Sequence, residues 1–124
     1  MKVSSYRDLL VWKKSMDLSV EVYQLTRGFP REEVFGLASQ LRRSAVSIPS
    51  NIAEGQGRSG TKEFQQFLSI ARGSTCELQT QLEIALRTGL GAPQDIQHAL
   101  DHSHEVGKLV FLLLRSLQAK AKLV

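Results

Sequence analysis

Residues 37–58 read LASQLRRSAVSIPSNIAEGQGR, and this stretch decides the fold. Leu37, Leu41, Ala45, Ile48 and Ile52 recur every three to four residues, the period of a helix with one apolar side, and Ser44 lies beside them. Arg42 and Arg43 flank that stripe. Successive helical residues point about 100° apart, so the two arginines cannot both face a core, and at least one is exposed or paired with an acid. Pro49 falls where the helix should continue. It has no N–H to give the carbonyl of Ala45 and its ring crowds that oxygen, at a cost of about 3 kcal/mol unless something compensates. Ser47, Ser50 and Asn51 are the local candidates, because short polar side chains bond to backbone atoms freed at a kink. The expectation is a helix from about Val34 or Gly36 to Glu54 that bends or restarts at Pro49.

Working outward, the preceding helix has Asp8 as its expected cap and two apolar sets. Leu9, Trp12, Met16, Ser19 and Tyr23 form one stripe, and Val11, Leu18, Val22 and Leu25 the other, so most of its circumference needs cover. One stripe suits a bundle core; the second is either a subunit interface or the seat of a further helix. Gly28, Phe29 and Pro30 mark its end. After the glycine-rich run at 55–60, with Ser59 or Thr61 as the expected cap, a third helix is predicted over 62–88. Its stripe is Phe64, Phe67, Leu68, Ala71, Thr75, Leu78, Leu82, Ala85 and Leu86. Small residues Gly73, Ser74 and Cys76 there predict close helix approach, and Gln65, Gln66, Gln79 and Gln81 predict a solvated or subunit-facing side. Gly89, Gly91 and Pro93 separate it from a fourth helix over 93–120, with Ile96, Leu100, Ser103, Val106 or Gly107, Val110, Leu113, Leu114 and Leu117 toward the core. Nothing alternates with period two, so no sheet is expected. Four amphipathic segments with short connections predict one all-α domain over residues 1–124, an antiparallel up-and-down four-helix bundle.

The chain of 124 residues is 42% hydrophobic and 23% charged, ordinary for a globular domain and inconsistent with disorder. Its longest apolar run, residues 109–114, is far short of the ~20 residues of a membrane span, so no membrane partner is expected. The opening MKVSSYRDLL has no secretory leader pattern, and the single Cys76 suits a reducing compartment, which together predict a cytoplasmic protein.

Little here suggests catalysis. Gly55-Gln56-Gly57-Arg58-Ser59-Gly60 matches G-x-G-x-x-G, but a helix precedes it where the dinucleotide motif needs a strand. Gly60-Thr61-Lys62 reverses the order that a phosphate-binding loop requires. His98 and His102 share a helix face and, with Asp101, His104 or Glu105, offer at most an incomplete metal site. Cys76 is expected to be a small buried hydrophobe. No metal, cofactor or catalytic residue is assigned.

The residues Gln40-Leu41-Arg42-Arg43, Ala45-Val46-Ser47-Ile48-Pro49-Ser50-Asn51-Ile52-Ala53-Glu54-Gly55 resemble the core of the small bacterial proteins encoded by intervening sequences in large-subunit ribosomal RNA genes. That family also includes accessory proteins of diversity-generating retroelements. Tyr6-Arg7-Asp8-Leu9 with Trp12, Phe35-Gly36-Leu37, and Lys62-Glu63-Phe64 with Phe67-Leu68 extend the likeness over most of the first 90 residues. The resemblance implies a homopentameric ring of four-helix bundles, proposed RNA or DNA binding, and no established catalysis.

Charge makes the nucleic-acid expectation concrete. The net charge is +4, and Arg42, Arg43, Arg58 and Lys62 stand against Glu54 alone between positions 42 and 62. Lys13 and Lys14 form a second basic point, Lys120 and Lys122 a third. Arg42 and Arg43 have two readings: a structural salt bridge to Glu54 or an acid of a neighbouring helix, or phosphate contacts assisted by Arg58, Lys62, Lys13 and Lys14. With aromatic content of only 6%, any binding should run through backbone phosphates and depend steeply on salt. The rival expectation is a structural oligomer or a protein-protein adaptor.

Overall fold

The computed structural model describes residues 5–122, with side chains as far as Lys120. Four helices make the molecule: α1 Leu10–Thr26, α2 Leu37–Gln56, α3 Thr61–Thr88 and α4 Pro93–Lys122. Short 3-10 turns at Tyr6–Asp8 and Arg31–Glu33 precede α1 and α2. Among the described residues there is no strand.

Each helix packs against two neighbours, in the cyclic order α1, α2, α3, α4, with no diagonal contacts among the described residues. Pairs that touch across each seam run in opposite directions. Ser19 meets Ala45 and Thr26 meets Arg42 between α1 and α2; Gln65 meets Leu117 and Gln79 meets Ser103 between α3 and α4. The fold is therefore the expected antiparallel up-and-down bundle. Leu18, Val22, Leu41, Ile48, Ile52, Leu68, Leu78, Leu82, Ile96, Val106 and Val110 are fully buried at its centre.

The α2 helix runs through Pro49 without interruption, contrary to the expected restart. Its main compensation comes from another helix: the Ser19 hydroxyl of α1 lies 3.0 Å from the carbonyl of Ala45, the oxygen that Pro49 leaves without an N–H. Asn51 Nδ2 donates to the carbonyl of Ser47, at 2.7 Å, which is not the oxygen that Pro49 frees, and Ser50 is exposed. Several terminal expectations move by a residue or two. Leu9, not Asp8, precedes α1, and Gly60, not Ser59 or Thr61, precedes α3. Gly28 has no left-handed conformation, whereas Gly89 (φ 77°) closes α3 in the expected way.

Close helix approach occurs at Gly55 and Gly107, not at Gly73. A Cβ on Gly55 would stand 2.6 Å from Phe67 Cβ, and one on Gly107 3.3 Å from Thr75 Cγ2, whereas one on Gly73 would meet nothing. Gln81 is buried and accepts a 2.7 Å hydrogen bond from Ser44, so it joins α2 to α3 and is not solvated. Cys76 is exposed, not buried: it follows the core residue Thr75, and the helical turn carries it outward.

Candidate functional site

Arg42 is neither paired with an acid nor free. Its Nε donates to Thr26 Oγ1 at 2.8 Å and its guanidinium lies 4.7 Å from the centroid of the Tyr23 ring, so it ties α2 to the end of α1. Glu54, its suggested partner, is bound by Arg58 instead, at 2.9 Å. Arg43, one residue on, is exposed. It borders an open depression of about 400 Å3 lined also by Tyr23, Val34, Phe35, Ser39, Arg42 and Val46.

The other expected basic residues lie elsewhere. Arg58, in the turn between α2 and α3, is held by Glu54 and Glu63 and covers Phe67. Lys62 is exposed in the first turn of α3. Lys14 pairs with Glu105 of α4 at 3.0 Å, and Lys13 is exposed. The six residues Arg42, Arg43, Arg58, Lys62, Lys13 and Lys14 thus form three separate groups on one subunit, with Arg42, Arg58 and Lys14 already engaged within it. Lys120 is exposed, and the side chain of Lys122 lies outside the described residues.

The depression beside Arg43 belongs to an apolar strip. Met16, Val20 and Tyr23 recur at four and three residues along the outer side of α1, and all are exposed; Val34, Val46 and Phe35 continue the strip, Phe35 being 97% exposed. The second stripe of α1 is thus partly absorbed, since Ser19 is buried and Leu9 and Trp12 pack against the core, and partly left uncovered. Val34 and Phe35 were not singled out as surface because their neighbourhood reads as part of a helix start.

His98 and His102 face Glu21 of α1. Their Nδ1 atoms lie 2.5 and 2.8 Å from the two oxygens of Glu21, which one carboxylate shares between two rings. The hydrogen bond and charge of Glu21 raise the pKa of His98 above its usual 6.5. Among the described residues no three His, Cys, Asp or Glu side chains are arranged around a metal position, and no helix is long and apolar enough to cross a membrane.

One cluster escaped the sequence reading. Arg72 of α3 and Arg115 of α4 lie 4.9 and 5.7 Å from the centroid of the Phe111 ring. Its signal was available as an absence: residues 64–76 and 106–122 contain no Asp or Glu.

No curated protein matches the chain. A crystal structure of a protein of unknown function from the S23 ribosomal protein family of Bacteroides thetaiotaomicron shares the fold, with a TM-score of 0.76 and 25% identity over 85% of this chain and 98% of that one. The sequence profile of the 23S rRNA-intervening sequence proteins matches residues 7–111, from the turn before α1 to Phe111 in α4. With that pattern spanning all four helices, the chain belongs to the 23S rRNA-intervening sequence protein family.

Proposed function

We propose that this protein is a non-enzymatic, homo-oligomeric four-helix bundle, a pentameric ring as the family resemblance implies, that binds the backbone of RNA or DNA. The observation that carries the oligomer is Phe35, an aromatic side chain 97% exposed beside Tyr23, Val34 and Val46. A surface of this kind marks association, and a second copy is the partner every cell making the chain supplies. Five copies at +4 each carry +20, and Arg43, Lys62 and Lys13 are exposed cations that such a ring repeats five times.

A second reading, a structural oligomer or adaptor with no nucleic acid, draws support from the internal engagement of Arg42, Arg58 and Lys14. One experiment separates them: the mass of wild type and Phe35→Glu by light scattering, followed by titration of a structured RNA and a matched DNA duplex at several salt concentrations. The proposal expects an oligomer that Phe35→Glu reduces in mass, and binding that falls steeply with salt. A monomeric wild type refutes the ring, and an oligomer that binds neither polymer at low salt leaves the second reading.

A further inference from the structure

We infer that the outer seam between α3 and α4, centred on Arg72, Phe111 and Arg115, is a docking surface for a nucleic-acid backbone. This rests on the polyanion-binding reading above and moves its centre away from the α2 arginines.

The seam is built from two segments that lie side by side and antiparallel. Gln65 of α3 reaches the carbonyl of Leu117, and Gly107 of α4 faces Thr75. Residues 64–76 and 106–122 carry Arg72, Lys108, Arg115, Lys120 and Lys122 without one carboxylate. Lys108, Phe111 and Arg115, spaced by three and four, share one face of α4, and Arg72 reaches the same ring from α3. Arg72, Lys108 and Arg115 are exposed and Phe111 is half-buried between the helices.

Three cations elsewhere are neutralised within the molecule: Lys14 with Glu105, Arg58 with Glu54 and Glu63, Arg87 with Glu83. Among the described residues no carboxylate pairs with Arg72, Lys108 or Arg115. Two guanidiniums at one ring repel each other, and the negative face of Phe111 offsets only part of that repulsion. An anion bridging the two guanidinium groups relieves the remainder.

The layout favours a polymer of phosphates. Lys108 and Arg115 are about 10 Å apart along α4 and Arg72 stands opposite them, so the positive charge is extended and matches an anion whose charges repeat. Two of the three cations are arginines, whose forked donors fit phosphate oxygens in pairs. Phe111 leaves only part of one ring for stacking, so recognition of base identity is not expected.

Cys76 supplies the test. It is the chain's single cysteine, exposed, four residues after Arg72 and so on the same side of α3. The rate of maleimide labelling of the native protein is measured alone, with a structured RNA and with a DNA duplex. In parallel, the affinity of the triple variant Arg72→Gln, Lys108→Gln, Arg115→Gln is compared with wild type and with Arg87→Gln, after circular dichroism has shown each to be folded. Bound nucleic acid should slow labelling severalfold. The triple variant should lose about tenfold or more in affinity, with a salt slope shallower by about 2 to 3 on duplex DNA, while Arg87→Gln, at a cation already paired with Glu83, should change little.

Binding with unchanged labelling and an unaffected triple variant overturns the seam and leaves the nucleic-acid reading standing. Absence of binding to either polymer at low salt overturns both; slowing by polyglutamate in that case assigns the seam to an acidic protein. A native Cys76 that reacts only after denaturation, or a triple variant of altered mass, means that another copy covers the seam, and the inference falls.

Discussion

Ser19 and Pro49 lie on different helices and depend on each other. The proline leaves the carbonyl of Ala45 without its helical donor in a buried position, and the Ser19 hydroxyl, also 2.9 Å from the carbonyl of Ser15, approaches it at 3.0 Å. An unsatisfied buried acceptor costs about 1–3 kcal/mol. Ser19→Ala should therefore destabilise the bundle by about that amount in urea unfolding. In a Pro49→Ala background residue 49 regains its N–H and donates to Ala45 itself, so the same serine substitution should cost about 1 kcal/mol or more less. Equal costs in the two backgrounds would show that the hydroxyl serves Ser15 alone. Arg42 follows the same pattern: a residue that composition marks as a phosphate contact is occupied by Thr26 and Tyr23 of the neighbouring helix. Arg43, turned outward by the next step of the helix, is left available.

At the scale of the helices, the pairing of α1 with α4 is the part most sensitive to pH. Glu21 reaches His98 and His102, Lys14 reaches Glu105, and Asp17, Asp95 and Asp101 border the same seam. His98 has its pKa raised, first by the hydrogen bond to Glu21 and then by that carboxylate's charge, with Asp101 and Asp95 adding to it. Its contribution is thus complete below the usual 6.5 and disappears as pH rises through the raised folded-state value. Glu105 has its pKa lowered by Lys14, so its contribution is present above the usual 4.5 and is lost as pH falls. Both operate between 4.5 and 6.5. His98→Ala should lower the melting temperature at about pH 5.5 and leave it nearly unchanged at about pH 8.5; an equal shift at both values would make the ring's packing, not its charge, responsible. The effect should be small because His98 is largely exposed. The apolar stripes of all four helices were legible in the sequence because each helix hides one side and a period of 3.6 records it. Partners across a seam were not, since they depend on rotation and axial offset. Hence Gln81 could not be told from its solvated neighbours, Cys76 was one residue too far round the helix to be buried, and Glu21 gave no sign of its two histidines.

For the molecule as a whole, the bundle was legible in the sequence, whereas the basic residues that the sequence groups together are dispersed in the fold. Counting cations between positions 42 and 62 treated most of α2, the turn after it and the start of α3 as one place, whereas Arg43 lies on α2 and Arg58 in the turn, where carboxylates occupy it. The acid-free halves of α3 and α4 are distant in sequence and adjacent in space, so a window along the chain could not join them. The exposed apolar strip was legible only in part, because Met16 and Tyr23 stood out by spacing while Phe35 became conspicuous once its exposure was known. That strip makes a thermodynamic prediction independent of any ligand. If it is covered by a second copy, folding and assembly are coupled, and the melting temperature depends on protein concentration. For a pentamer each tenfold rise in concentration adds about 1 kcal/mol per subunit, which for a domain of this size corresponds to about 3–5 °C. Wild type should show that dependence in calorimetry across two decades of concentration. Phe35→Glu, which places a charge in the strip without touching the core, should melt at a lower temperature and at the same temperature throughout. A wild-type melting temperature independent of concentration would mean that the strip contributes nothing to folding stability, and that Phe35 waits for a different partner.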